Sequence, residues 1–215
     1  MGLCALFLLL HGAFGSVPVS VRPSIVGTDV EAQYLEVARS GTVPTAPMVC
    51  EDFWTDQARL CFRLVNGKRR EWVTSTHLET WGVDFASLKS TVINRAKSHV
   101  TQQLKSVPIG GMEQTYFAAT NVDGWASAVL LLPEQLRRVG TQNVLVAVPA
   151  HGVVLAWEGG HPEVDKVLAV GVREIYESRA GSVSAMIYRW TGTEWAPFGE
   201  AKSTAPRTQK KTLSE

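Results

Sequence analysis

Arg59-Leu60-Cys61-Phe62-Arg63-Leu64-Val65 is followed by Asn66-Gly67 and then, past Lys68 and Arg69, by Arg70-Glu71-Trp72-Val73-Thr74. Successive side chains of an extended chain point to opposite faces, so Leu60, Phe62 and Leu64 share one face, and Cys61, Arg63 and Val65 the other. An Asn-Gly pair between two such runs is the strongest short-range hairpin signal, because both residues accept the positive φ of a tight turn. The stretch therefore predicts an antiparallel hairpin with arms Arg59–Val65 and Arg70–Thr74. So short a link leaves no room for the crossover that parallel strands need. The basic run Lys68, Arg69, Arg70 beside the turn reads as a solvated hairpin edge.

The same grammar repeats outward from this hairpin. Upstream, residues 48–53 form a candidate strand. Downstream, residues 114–119 precede the turn Asn121-Val122-Asp123-Gly124, and residues 143–148 and 153–157 are joined through Pro149-Ala150-His151-Gly152. Residues 184–190 and 194–198 flank Thr191-Gly192-Thr193. Helical patterns stand between these strands. A short one over residues 75–81 stops at Gly82. Asp84 can cap the next, whose stripe is Phe85, Leu88, Val92, Ile93 and Ala96. Residues 125–138 read as a leucine-rich helix with Pro133 near its start or at a bend. Pro162 opens a last helix carrying Val164, Val167, Leu168, Val170, Val172 and Ile175. Hairpins mixed with single helices predict an α+β fold: an antiparallel sheet built from hairpins, with three to four helices packed on one face.

The ends of the chain read differently. Residues 1–15 carry the apolar run Leu3-Cys4-Ala5-Leu6-Phe7-Leu8-Leu9-Leu10 and then small residues around Phe14, the pattern of a secretory signal. That run is far shorter than the roughly 20 residues needed to span a bilayer. It lacks a basic start, so a buried N-terminal segment of a cytoplasmic protein is the alternative. Residues 16–44 read as a leader with a short helix begun by the capping-box pattern Thr28-Asp29-Val30-Glu31. Residues 45–198 read as a single domain and residues 199–215 as a polar, disordered tail. Export to the periplasm or beyond would allow Cys50 and Cys61 to form a disulfide; two buried free thiols are the alternative.

Composition excludes several classes. Apolar residues make up 45% and charged residues 19%, enough to bury a core. The net charge of +1 and the lack of a basic face interleaved with aromatics argue against a nucleic-acid partner. The five histidines (residues 11, 77, 99, 151 and 161) make no ligand spacing, and no metal is expected. Gly110-Gly111 and Gly159-Gly160 lack the spacing and lysine of a phosphate loop, so no cofactor is expected either. Ser127, in Gly124-Trp125-Ala126-Ser127-Ala128, departs from the nucleophile-elbow pattern.

Three residues remain as tentative binding positions. Asp123 is either a ligand carboxylate or general base, or a turn residue bonding its own backbone. Trp125 follows it, and the chain's seven tryptophans are otherwise read as packing. His151 is either a proton shuttle or an exposed turn histidine.

A set of short strings also resembles a known family. They are Trp72-Val73-Thr74, Leu78-Glu79-Thr80-Trp81-Gly82, Tyr116-Phe117, Asp123-Gly124-Trp125, Leu130-Leu131-Leu132-Pro133-Glu134, Val146-Ala147-Val148-Pro149, Tyr188-Arg189-Trp190 and Trp195-Ala196-Pro197-Phe198. Their order and spacing over residues 60–198 resemble the YtpQ-like family, a bacterial domain of unknown function. The resemblance implies organisation and no activity. It departs at Ala126 and Val129, and at Ala150, His151 and Gly152, where the family tends to carry polar or charged side chains. The expected function is a non-enzymatic binding or interaction domain, exported to the bacterial envelope, with a protein or small ligand as its unknown partner. The alternatives are a hydrolase-like enzyme using Asp123 and His151, with Glu113 or Glu158, and a cytosolic regulatory or immunity-type partner protein.

Overall fold

The computed structural model describes residues 16–41, 46–54, 58–120 and 125–201, with the backbone alone at 101–103. The signal expected over 1–15, Asp123, and the tail beyond 201 lie outside the described residues. Ten strands and four α-helices follow one another as β1 (Val21–Val26), α1 (Val30–Arg39), β2 (Cys50–Asp52), β3 (Arg59–Asn66), β4 (Arg69–Trp72), α2 (Ser75–Trp81), α3 (Phe85–Gln103), β5 (Lys105–Pro108) and β6 (Thr115–Thr120). They continue as β7 (Val144–Ala150), β8 (Val153–Glu158), α4 (Pro162–Ser178), β9 (Met186–Trp190) and β10 (Trp195–Glu200).

The mixed architecture and the antiparallel pairing are as expected, but the strands form two sheets rather than one. Strands β10-β9-β7-β8-β6-β5 make a six-stranded sheet. In the smaller sheet β3 is central, with β1 on one side and β2 and β4 in succession on the other. Every pairing among the described strands is antiparallel. Residues 21–26 and 30–39, expected within a leader, are β1 and α1; Val21 and Ile25 are fully buried, which makes β1 an integral strand.

Layering explains the burial patterns. All seven residues of β7 are buried, because both faces of the large sheet are covered. Leu145 and Ala147 cluster with Val164, Leu168 and Val172 of α4, while Val146 and Val148 belong to the main core with Leu60, Phe62, Leu88, Val92 and residues 126–131, a segment that contacts β1, β8 and α3. A strand covered on both sides reads as a continuous apolar run rather than an alternation. The helices thus lie on both faces, not on one. α4 is clamped at its start by Asp165, which accepts hydrogen bonds from Trp157 Nε1 (2.9 Å) and the Gly160 N–H (3.1 Å). The small sheet is also covered twice: Leu60 and Phe62 face the large sheet, while Cys61 packs outward with Val26, Tyr34 and Met48.

Two local expectations change. Residues 126–131 and 133–138 are two separate 3-10 segments, not one α-helix, bringing the described helical segments to six. Pro133 supplies no N–H and holds the residue before it away from helical geometry, and Leu132 sits at φ −131°, ψ 63°. The expected capping box at Thr28 does not form: Asp29 is the N-cap, and its Oδ2 accepts from Gln33 Nε2 at 2.6 Å. The β3–β4 hairpin forms with the expected arms, Val65 paired to Arg70, and the pairing runs one step further into the link. Asn66 pairs with Arg69, so Gly67 (φ 60°) and Lys68 make the turn.

Candidate functional site

The register of the β3–β4 hairpin decides which side chains meet. With Asn66 paired to Arg69, Arg63 stands directly opposite Trp72 on the outward face of the small sheet. Its Cζ lies 3.7 Å from the centroid of the Trp72 ring, a cation–π contact. On the β1 side of the same face stands Ser24, two residues along from Arg22, the register partner of Arg63.

His151 reaches this face from the other sheet. It occupies the two-residue turn between β7 and β8, where Gly152 takes φ 74° and the His151 N–H donates to Gly181 O at 2.8 Å. His151 Nε2 lies 2.7 Å from Arg63 Nη1, and its Nδ1 lies 3.3 Å from Ser24 Oγ. A guanidinium has donors and no acceptor, so Nε2 must be the unprotonated nitrogen. The ring is therefore neutral, carries its proton on Nδ1 and donates it to Ser24. Burial lowers the His151 pKa to about 4, the charges of Arg63 and Arg70 push in the same direction, and a hydrogen bond to the Ile25 backbone pushes the other way. Burial, and then the neighbouring Arg70, lower Arg63 to about 10, which leaves it charged at neutral pH.

Arg63 is half-buried, and among the described residues no carboxylate makes an ion pair with it. The nearby acids are otherwise engaged: Glu71 stands 3.6 Å from both Arg69 and His77, and Asp29 holds Gln33. A groove of about 630 Å³ opens over Arg63 between α1 and the β3–β4 hairpin. A second chamber of about 310 Å³ adjoins it, with Arg63, Val30 and Gln33 shared by both, and ends at His151 and Ser182. The arrangement is a fixed, desolvated cation at the junction of two clefts, suited to holding an anionic group.

The other expected positions fall elsewhere. Trp125 is 2% exposed, sandwiched between Arg22 (Cζ at 4.3 Å) and His99 (ring centroids 4.7 Å apart), and presents no ring face to solvent. Its segment does approach the His151 neighbourhood: Ser127 Oγ accepts from the Ile25 N–H at 3.1 Å, one residue along β1 from Ser24. Cys50 and Cys61 are register partners joined by a disulfide (S–S 2.06 Å) on the outward face of the small sheet. Among the described residues no group of three or more His, Cys, Asp and Glu side chains could hold a metal ion. Also among the described residues, no helix is long and apolar enough to cross a membrane.

The sequence reading singled out His151 and missed Arg63, Arg70 and Trp72. The expected arms already set Arg63 opposite Trp72, but nothing local to the hairpin shows that His151 of the other sheet joins them. In comparisons with known proteins, no family model, curated protein or solved structure matches the chain.

Proposed function

We propose that the chain is a non-enzymatic binding domain that holds its ligand by an anionic group on Arg63. One observation carries this reading. A half-buried guanidinium is fixed in orientation by Trp72 and His151, lines a groove, and has no carboxylate partner among the described residues. Burying a charge is costly unless it is paired, and a ligand anion supplies the missing pairing. The hydrolase-like alternative needs a histidine with a lone pair to spare, whereas the lone pair of His151 is committed to Arg63. The apolar start of the chain and the paired cysteines support export to the bacterial envelope as the setting. Kinship with the YtpQ-like family rests on the strings quoted above and adds no activity.

The test is calorimetric titration of the full chain with acetate at neutral pH, set against Arg63→Gln. The expected result is saturable binding that weakens at least tenfold in the variant, with an unchanged circular dichroism spectrum. Equal binding by the two proteins overturns the proposal.

A further inference from the structure

The proposal above leaves the body of the ligand open, and the two walls of the groove differ in chemistry. α1 presents Val30, Tyr34 and Val37 to it, at positions i, i+4 and i+7, one stripe of the helix. Val37 is 48% exposed, second only to Val19 among the large apolar side chains of the described residues. The facing wall, from β3 and β4, carries Arg63, Arg69 and Arg70, with Trp72 at their base. An apolar wall opposite a cationic one complements a molecule that is itself divided in this way.

We infer that the groove binds an amphiphilic organic carboxylate, its head on Arg63 and its hydrocarbon body along α1. The inference rests on the anion-binding reading and adds the chemistry of the body. Trp72 covers a face of the guanidinium and His151 occupies Nη1, so the open donors lie in the guanidinium plane. A planar carboxylate matches that edge. Glu71 lines the groove and Asp29 the adjoining chamber, and both repel a dianion more than a monoanion. The stripe from Val30 to Val37 runs about 10 Å along the helix, the reach of an eight-carbon chain. A cavity of about 630 Å³ is ample for such a molecule.

Calorimetry of the full chain with octanoate, acetate and inorganic phosphate at pH 7 and equal ionic strength decides the matter. Octanoate is expected to bind at least tenfold more tightly than acetate or phosphate. Val37→Asn, at an exposed position, should cut the octanoate affinity severalfold and leave acetate unchanged. Arg63→Gln should weaken both carboxylates at least tenfold. If the three anions bind equally and all depend on Arg63, the amphiphile inference fails and the anion-binding reading stands. If octanoate binds Arg63→Gln as tightly as it binds the parent chain, both fall.

Discussion

At the scale of single residues, His151 does its work by being neutral. A protonated ring would confront Arg63 at 2.7 Å with no lone pair to offer, and Arg70 adds further positive charge. Because folding lowers its pKa from 6.5 to about 4, the unfolded chain takes up the proton more readily throughout that window. Stability from this residue is complete above pH 6.5 and is lost as the pH falls toward 4. The loss amounts to about 3 kcal/mol, since each tenfold change in proton affinity is worth about 1.4 kcal/mol. Urea denaturation as a function of pH should show this slope in the parent chain and a flatter one in His151→Gln, which keeps an acceptor for Arg63 and a donor for Ser24. Identical slopes would assign the acid sensitivity elsewhere. His151 was legible as a turn residue from Pro149-Ala150-His151-Gly152, yet nothing in that string points to Ser24 or Arg63. Both partners come from a sheet distant in sequence, and only tertiary packing brings them within reach.

At the scale of elements, hairpins and helix caps were the most readable features because their signals are local. Asp84 does cap α3, its Oδ1 accepting from the Ser87 N–H at 2.7 Å, and Gly82 does end α2 at φ 63°. The β3–β4 hairpin was legible in its arms as well as its turn. Gly67 meets the demand for positive φ at the tip, and the alternating arms on either side set Val65 opposite Arg70 and Arg63 opposite Trp72. The segment 125–138, by contrast, misled. Residues 126–130 are all buried, so its apolar run records burial on every side rather than an amphipathic helix. The join between β2 and β3 carries its own prediction. The disulfide closes a short loop from Cys50 to Cys61, and chain-entropy arguments for a loop of this length give about 2–3 kcal/mol of stabilisation. The Cys50→Ser, Cys61→Ser double variant should unfold at lower urea by that amount, and reductant should leave the variant unaffected while lowering the parent chain to match it. No change in either would mean that the thiols are unpaired in solution.

At the scale of the whole molecule, the site exists because two sheets are stacked. The large sheet supplies His151 from its β7–β8 turn, the small sheet supplies Ser24, Arg63 and Trp72, and α1 lies across the outward face of the small sheet to close the groove. Alternation and turn chemistry predicted most of the strands, though not β5, and not their division between two sheets, since the pairing of β1 with β3 spans α1 and β2 in the chain. The apolar β7 run fitted a buried strand, and the structure shows why it is buried on both faces: α4 covers one, and the core shared by residues 126–131, α3 and the small sheet covers the other. The central claim reduces to one pair of side chains across that stack, a neutral His151 holding Arg63 ready for an anion. Side-chain 15N NMR of the full chain at pH 7, with and without saturating octanoate, tests it directly. The account predicts a His151 ring protonated at Nδ1 alone and an Arg63 guanidinium resonance that shifts on addition of ligand. A ring protonated at Nε2, or an Arg63 signal unmoved at saturation, would contradict it.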